Sequence, residues 1–468
     1  MTTNTPISPP AGRIEPIRID NLLISFTTEY LRIWDTDGLR AKPASFWHPT
    51  PAPDALPGYF PLGDVVARGH GNINGNRVVA VVCEADTASS DPTKGKALRR
   101  PDDYELIWKD SGSGSKRDLS IWRPIPPEGY IALGSVCSSD HEKPSFNAVR
   151  CVREDLVIAS NTSDLAWDDK GSGARRRVST WSAVPPVAAP GEIHLASGSF
   201  VGLSDYNKPA NFPVYCLRLK IGLQVNPRPM APLLCAETPA PVVSPDNPSY
   251  IAILPWFTIR DPRFSRLEQL SRSPFYLLER TDQYLLVGYA NNTENQSRIC
   301  RWTAPRAQQA GSLQAFTQTT SVEFGAQWQT NLQDPLLFSA RLDHDFTQCE
   351  IHSNEWLNAA AIEVVAVVDK NRSVAAYLMQ SEYRLLRADG TSVTNTFSYT
   401  DGSSLHISQH APTEPEAVIL PAPEPVVVAA PEPVVELIAQ APLADDEVSA
   451  APVVPELPEL PAATDTAP

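Results

Sequence analysis

The sequence lacks the features that mark membrane-spanning and exported proteins. None of its 468 residues belongs to an apolar run of about 18 or more, so no transmembrane helix is predicted. Residues 1–12 are polar and rich in Pro and Thr, without the basic start and apolar centre of a signal peptide. We therefore expect a soluble protein that is cytoplasmic by default, with release by a signal-less route as the alternative.

Motifs of catalysis and of cofactor binding are also missing. The sequence contains no Walker loop, no Rossmann glycine pattern, no nucleophile elbow and no zinc-ligand spacing. Its seven cysteines are scattered without a C-x-x-C pair, which is typical of reduced, structural thiols. We predict a binding protein rather than an enzyme, with no cofactor and no metal. A hydrolase is kept as a third alternative only because of Asp343-His344-Asp345 and scattered histidines.

Basic charge is scarce, and acidic charge is concentrated at one end. The net charge is −15, and residues 411–468 hold eleven acidic residues with no Lys or Arg. The remainder therefore carries about −4, which is −15 plus 11. A nearly neutral folded part argues against nucleic acid as a partner.

Three segments of the first half share one ordered set of features. Each has two tryptophans, then a glycine and a cysteine, separated by short apolar runs and turn residues, which predicts β-strands. One such unit cannot bury its tryptophans alone, whereas three units around one axis can. We predict an all-β fold with a threefold-repeat β-prism-like domain, and a β-trefoil as the alternative. The shared positions are Trp34, Trp108 and Trp167; Trp47, Trp122 and Trp181; Gly63, Gly134 and Gly198; and Cys83, Cys151 and Cys216.

Composition shifts divide the rest of the chain. Pro-rich residues following the third segment predict a linker, and apolar runs with Asp-Gly turns predict a second β-rich domain. The last segment, with 13 prolines and no aromatic residue, predicts a disordered solubilising tail, with a docking peptide as the alternative. The predicted organisation is a disordered N-terminus (1–13), the prism-like domain (14–222), the linker (223–248), the second β domain (249–410) and the tail (411–468).

The second segment carries a family resemblance. Its SIWRPIPPEGYIALGSVC, and especially VRCVREDL at residues 149–156, resemble the vacuolar protein sorting-associated protein 62 family. Related segments occur in large vacuolar sorting-associated lipid-transfer proteins. The resemblance covers residues 14–222 and is weaker in the third segment, which lacks the Arg-Glu-Asp triplet. It implies a β-rich membrane-trafficking or binding module and implies no reaction.

The candidate ligand-binding loops follow the first tryptophan of each segment. Gly-rich loops expose backbone N–H groups that can cradle a sugar hydroxyl or a phosphate, and the neighbouring Lys and Arg suit an anionic headgroup. The alternative is a tight turn with solvated basic neighbours. The candidates are Asp35, Asp37, Asp110, Ser111, Gly112, Gly114, Lys116, Arg117, Asp168, Asp169, Gly171, Gly173, Arg175, Arg176 and Arg177.

A segment of the second half alternates between apolar and polar residues. Residues 311–332 and the amphipathic stretch after Asp334-Pro335 resemble the inserting hairpin of aerolysin-type β-barrel pore-forming toxins. The alternative is a pair of half-buried strands in a soluble sheet. The candidate membrane-inserting residues are Val322, Phe324, Ala326 and Trp328.

These patterns favour a β protein that binds a membrane surface or a glycan, in its sharpest form a pore-forming, toxin-like protein. The expected partners are an anionic lipid or glycan surface and further copies of the chain, as a homo-oligomer on membranes. The alternative is an intracellular trafficking-type adaptor or binding module without pore activity.

Overall fold

The computed structural model describes residues 15–85, 93–208, 212–235, 238–239, 247–308, 310–324, 327–329, 336–347 and 360–411. These residues belong to one compact unit, Met1–Pro412. Residues 1–13 and 412–468, for which disorder is predicted, lie outside the described residues.

Short strands make up the first half. The first segment contains β1 (Ile17–Ile19), β2 (Leu22–Thr27), β3 (Tyr30–Asp35), β4 (Ala44–Pro49), β5 (Phe60–Pro61), β6 (Val65–Arg68) and β7 (Val79–Glu84). The second contains β8 (Leu98–Arg99), β9 (Asp103–Lys109), β10 (Ser120–Ile125), β11 (Tyr130–Ile131), β12 (Val136–Ser138) and β13 (Cys151–Arg153). The third contains β14 (Val157–Asp168), β15 (Ser179–Val184), β16 (Glu192–Leu195), β17 (Phe200–Leu203) and β18 (Val214–Lys220).

Longer strands and three helices follow. They are β19 (Gly222–Val225), β20 (Tyr250–Pro255), α1 (Arg266–Arg272), β21 (Phe275–Asn292), β22 (Arg298–Ala304), β23 (Ala307–Gln308), α2 (Ala310–Thr320), β24 (Trp328–Gln329), β25 (Phe338–Arg341), α3 (His344–Thr347), β26 (Ile362–Val368), β27 (Arg372–Arg387) and β28 (Phe397–His410). The predicted all-β class is confirmed.

Each of the three segments forms an antiparallel arrangement of three strands in the same order. These are β3-β4-β6, β9-β10-β12 and β14-β15-β17, of which the last continues into a larger sheet. The central strand of each carries the second tryptophan, and its indole N–H donates to a serine hydroxyl two residues earlier. The pairs are Trp47–Ser45 at 2.9 Å, Trp122–Ser120 at 2.8 Å and Trp181–Ser179 at 2.8 Å.

The first tryptophans of the three segments pack against one another. Trp34 and Trp108 are fully buried and Trp167 is 2% exposed. Their ring centroids are 6.3 to 6.4 Å apart in all three pairs, with interplanar angles of 71° to 79°. Edge-to-face packing of this kind adds about 0.5–1.5 kcal/mol per pair to the burial of each ring. Three indoles from distant parts of the sequence therefore form one apolar centre.

Backbone hydrogen bonds also join the segments in a closed ring. The N–H of Asp64 donates to the carbonyl of Ser135, and the N–H of Ser135 donates to that of Phe200, both at 2.8 Å. The N–H of Phe200 returns to the carbonyl of Asp64 at 3.0 Å. These three hydrogen bonds thus link one residue from each segment.

The residues that precede Asp64, Ser135 and Phe200 lie so close together that they require small side chains. A Cβ added to Gly63 would lie 2.7 Å from the Cα of Gly134 and 2.9 Å from the Cβ of Ser199. Such distances are shorter than van der Waals contact allows, so this close approach requires glycine. Gly198, the predicted third glycine of the set, does not take part in this close approach. Gly198 lies against Val79, and Ser199 takes the place beside the other two.

The cysteines that close the three segments lie on β7, β13 and β18. Cys151 and Cys216 are fully buried, whereas Cys83 is half-buried. Burial raises the pKa of the Cys151 and Cys216 thiols to about 12. These two therefore stay protonated as small core residues, and their structural role agrees with the prediction.

The second half is built on long antiparallel strands in the order β19-β20-β21-β27-β28-β23, and β22 and β26 form a separate pair. Strand β25 pairs with β16 of the third segment, so one sheet contains strands from both halves. One apolar core likewise includes Leu22, Trp256 and Tyr383. The division at residues 223–248 stays a prediction, although β19 already begins at Gly222.

The strand expected from residue 311 is wrong, because Ala310–Thr320 forms helix α2. Leu313, Phe316 and Thr320 follow a helical spacing and are buried on one face, which explains the helix. After the helix, Val322 and Phe324 are fully buried and Trp328 is 4% exposed, so all three belong to the core rather than to a free hairpin. Ala326 lies outside the described residues.

No helix of the described residues is both long enough and apolar enough to cross a lipid bilayer.

Candidate functional site

Three loops are held together by the buried indoles. We define the loop cluster as residues 36–43, 110–118 and 169–177. The N–H of Trp34 donates to the carbonyl of Arg117, that of Trp108 to Arg176 and that of Trp167 to Lys42, each at 2.9 Å. Each indole therefore anchors the loop of another segment. The core therefore fixes the positions of the three loops relative to one another.

Direct contacts join the loops as well. The N–H of Arg175 donates to the carbonyl of Ser111 at 3.1 Å, and a Cβ on Gly171 would lie 3.1 Å from the carbonyl oxygen of Arg40. The structure thus brings together the predicted loops, which lie far apart in the sequence.

The glycines of the loops take left-handed backbone conformations. Gly112, Gly114, Gly171 and Gly173 have φ values of 89°, 76°, 86° and 83°. Residues with a Cβ rarely adopt these angles, which explains the Gly-rich sequences. Tight turns, rather than a need for ligand contacts, thus account for the glycines.

Internal hydrogen bonds use several of the backbone N–H groups on which the predicted cradle depends. The N–H of Ser113 donates to the backbone carbonyl of Asp110 at 2.8 Å, and that of Ser172 to the backbone carbonyl of Asp169 at 2.9 Å. The N–H of Ser115 donates to the Ser113 hydroxyl at 3.1 Å. A ligand at these loops would therefore meet mainly side chains.

Most of the predicted loop carboxylates are buried. Asp110, Asp168 and Asp169 are 3%, 1% and 3% exposed. Asp169 accepts the N–H of Val178 at 2.9 Å, so it stabilises its own loop. Asp37 is exposed. Asp35 is half-buried, and its carboxylate lies 3.5 Å from the guanidinium nitrogen of Arg32.

The cations of the loop cluster are all exposed. The cluster contains eight Lys and Arg against four Asp, a net charge of +4 (8 − 4), in a chain whose net charge is −15. Lys42 and Lys170 lie 3.9 Å from Asp168, and Arg177 interacts electrostatically with Asp205. The other five arginines and lysines have no acidic side chain paired with them among the described residues. These five are Arg40, Lys116, Arg117, Arg175 and Arg176.

One group of side chains at the loop cluster could hold a metal ion. Ligand atoms of Asp110, Asp118 and His141 all lie within 4.8 Å of one another. Two carboxylates and an imidazole suit a divalent transition metal, although Asp110 and His141 already contact each other at 2.9 Å. This group was missed in the sequence because His141 lies 31 residues from Asp110 and joins it only through the fold.

A second unpredicted pair links the first and second segments. His48 Nδ1 lies 2.6 Å from Asp64 Oδ1, and the other oxygen of Asp64 accepts the N–H of Cys137 at 2.6 Å. Burial by itself lowers the pKa of His48, but the neighbouring Asp64 carboxylate outweighs it and holds that pKa above its ordinary value. Asp64 is fully buried and His48 lines an open groove.

Comparison with known proteins gives one family. The family described as vacuolar protein sorting-associated protein 62 matches residues 11–258, more than half of the chain. The crystal structure of GNIP1Aa from Chromobacterium piscinae is 26% identical with a TM-score of 0.35, over 42% of this chain and 37% of that chain. The chain thus spans little more than a third of that protein.

A second similar structure is that of Cry35Ab1, which is 10% identical with a TM-score of 0.23, over 67% of this chain and 89% of that chain. Both TM-scores are too low to support an inference about fold or function. No curated protein matches the chain.

Proposed function

The chain belongs to the vacuolar protein sorting-associated protein 62 family, and from this premise we propose that it is a binding protein whose loop cluster recognises an anionic membrane surface. The observation that carries this proposal is the convergence of eight exposed Lys and Arg on three loops anchored by buried indoles. Because the loops are already ordered, little conformational entropy is lost when a surface binds them.

Electrostatic attraction supports a lipid surface as the ligand. A Lys or Arg near an acidic membrane contributes about 1 kcal/mol, and this attraction is screened within a Debye length. Several weak contacts on one rigid body add up because they engage together. Because Asp110, Asp168 and Asp169 are buried, a surface meets eight exposed cations of the loop cluster against only two exposed carboxylates, those of Asp37 and Asp118. A glycan is the alternative ligand for the same loops.

We also propose that the three segments are copies of one unit arranged as a β-prism. The equal spacing of three tryptophan rings, the closed ring of backbone hydrogen bonds and the shared strand order support this arrangement. It would present three similar loops at one end.

Binding is proposed without catalysis, with an adaptor role as the alternative. Pore formation by an oligomer is a further step, and it requires a segment to leave the core. The ring centroid of Phe324 lies 4.9 Å from that of Tyr383 and 5.3 Å from that of Phe397, so this side chain is packed inside the fold. An isolated hairpin cannot satisfy its open edges in lipid, so such a step also requires several copies of the chain.

Co-sedimentation of the full chain with vesicles tests the proposal. We expect binding to vesicles of phosphatidylcholine mixed with phosphatidylserine, weak binding to phosphatidylcholine alone, and loss of binding as salt increases. Equal binding to both compositions, or binding that does not respond to salt, would contradict an electrostatic surface contact. Entrapped dye in the same vesicles separates an adaptor, which binds without leakage, from a pore.

A further inference from the structure

A second cluster of cations lies away from the loop cluster, in a cavity between the first and second segments. The cavity has a volume of about 650 Å³ and is lined by Lys96, Arg99, Arg100 and Arg150, together with Phe60. Lys96, Arg99 and Arg100 are exposed, whereas Arg150 is only 9% exposed. None of these residues belongs to the loop cluster.

The two acidic residues of the cavity do not neutralise these cations. Both oxygens of Glu84 are already used, since they accept the N–H groups of Ala97 and Leu98, each at 2.9 Å. Asp102 is exposed. Four cations against two carboxylates leave a net charge of +2 (4 − 2). Among the described residues, no acidic side chain forms an ion pair with any of the four cations.

Arg150 is held in place by contacts that leave part of its guanidinium unused. Its guanidinium carbon lies 3.4 Å from the centre of the Phe60 ring, and one nitrogen donates to the carbonyl of Val149 at 2.9 Å. A second nitrogen is 3.4 Å from Asn147. A guanidinium has about five N–H donors, so several remain for a ligand.

Two of the arginines lie next to the paired residues of a short strand pair. Cys151 pairs with Arg99 and Val152 with Leu98; Arg100 directly follows Arg99, and Arg150 directly precedes Cys151. Burial, together with the neighbouring Arg100, lowers the pKa of the Arg150 guanidinium. Two neighbouring guanidinium groups repel each other. An anion bound between them would remove this repulsion.

The other two segments have uncharged residues at the matching positions. Where Cys151 pairs with Arg99, Cys83 pairs with Leu23 and Cys216 with Ile158. The residue before each of these cysteines is Arg150 in the second segment, but Val82 in the first and Tyr215 in the third. The strand fold therefore does not need arginine at these places, and the cations are special to this cavity.

We propose that this cavity binds a phosphate monoester through Arg99, Arg100 and Arg150. Guanidinium groups bind phosphate oxygens in a bidentate manner, which favours a dianionic phosphate over a single carboxylate. The cavity exceeds the size of a phosphate and also has Leu98 and Pro127 in its lining, so it has room for an organic group. A soluble phosphate ester and a lipid headgroup with a terminal phosphate share this chemistry.

Thermal unfolding and calorimetry of the full chain with glycerol phosphate test the proposal. Wild type should bind and show a higher melting temperature with the ester. Arg100→Gln should bind at least tenfold more weakly and lose that shift. Without ester, Arg100→Gln should melt no lower than wild type, since it removes a repulsion. The exposed Arg372 on β27 gives a matched control, Arg372→Gln, which should respond like wild type.

Vesicles containing phosphatidic acid separate the two sources of the phosphate. If glycerol phosphate competes with binding to these vesicles, the ligand is the lipid headgroup. If it binds in the cavity without affecting the vesicles, the ligand is a soluble ester. A variant with Arg175, Arg176 and Arg177 changed to Ser should keep ester binding, which distinguishes this cavity from the loop cluster. Absence of ester binding by wild type, or equal binding by Arg100→Gln, would overturn the proposal.

Discussion

The indole N–H of Trp108 donates a hydrogen bond to the backbone carbonyl of Arg176 at a distance of 2.9 Å. A fully buried side chain of the second segment thereby holds an exposed, basic loop of the third. This relationship connects the stability of the core to the shape of the loop cluster.

Replacement of Trp108 by Ala is expected to lower the free energy of unfolding by roughly 3–5 kcal/mol, because it opens a cavity among three packed indoles. Urea unfolding measures the change. Met230→Ala is the control, since Met230 is 88% exposed and its loss should cost less than about 0.5 kcal/mol. Similar losses for both variants would mean that the indole cluster does not stabilise the fold.

Replacement of Arg175, Arg176 and Arg177 by Ser should weaken binding to vesicles that contain phosphatidylserine and flatten its salt dependence. Each cation near the surface contributes on the order of 1 kcal/mol, so a loss of tenfold or more is expected. Co-sedimentation at several salt concentrations measures both effects.

The matched control removes the same charge elsewhere. Arg263, Arg301 and Arg372 are exposed residues of the second half, and their replacement by Ser should leave vesicle binding nearly unchanged. An equal loss in the two triple variants would indicate a response to net charge, and the loop cluster would no longer be the binding site.

If the chain forms pores, the segment around Phe324 must first leave the core. Phe324→Leu should then accelerate dye release from acidic vesicles, because it weakens packing against Tyr383 and Phe397. Ile121→Val, at a fully buried position of the first half, is the control. It should lower the free energy of unfolding by about 0.5–1.5 kcal/mol without accelerating dye release. Dye retention with the wild type at all lipid compositions would rule out pore formation.

The pair formed by His48 and Asp64 predicts a pH dependence. Because the folded-state pKa of His48 is raised, protonated His48 stabilises the fold fully below its ordinary pKa of about 6.5. This contribution is lost as pH rises through the folded-state pKa. The difference in unfolding free energy between wild type and His48→Gln should therefore be largest at pH 5.5 and shrink toward pH 8.

His410→Gln serves as the control for this titration. His410 is half-buried at the end of β28 and has no acidic side chain paired with it in the described residues, so its replacement removes an imidazole without breaking an ion pair. A difference between wild type and His48→Gln that stays constant from pH 5.5 to 8 would exclude a stabilising ion pair at His48.

The sequence predicted the β class and the shared burial of Trp34, Trp108 and Trp167 because large aromatic residues at regular intervals can be stabilised only by mutual packing. It did not single out Ser199, since spacing cannot distinguish Gly198 from Ser199 when only the close approach to Gly63 and Gly134 decides between them. It also failed at residues 310–320, where the buried spacing of Leu313 and Phe316 is helical within an otherwise β-rich chain.

By itself, then, the amino-acid sequence determined which residues must be buried, where the turns lie and which loops carry cations, because these follow from local chemistry and periodicity. Only the tertiary structure decided which of the charged groups are left without partners. Asp110 and Asp169 turn inward, while Arg100 and Arg150, 50 positions apart, line one cavity. The burial and pairing of charged side chains depend on contacts between distant segments, and the spacing of residues along a chain does not contain that information.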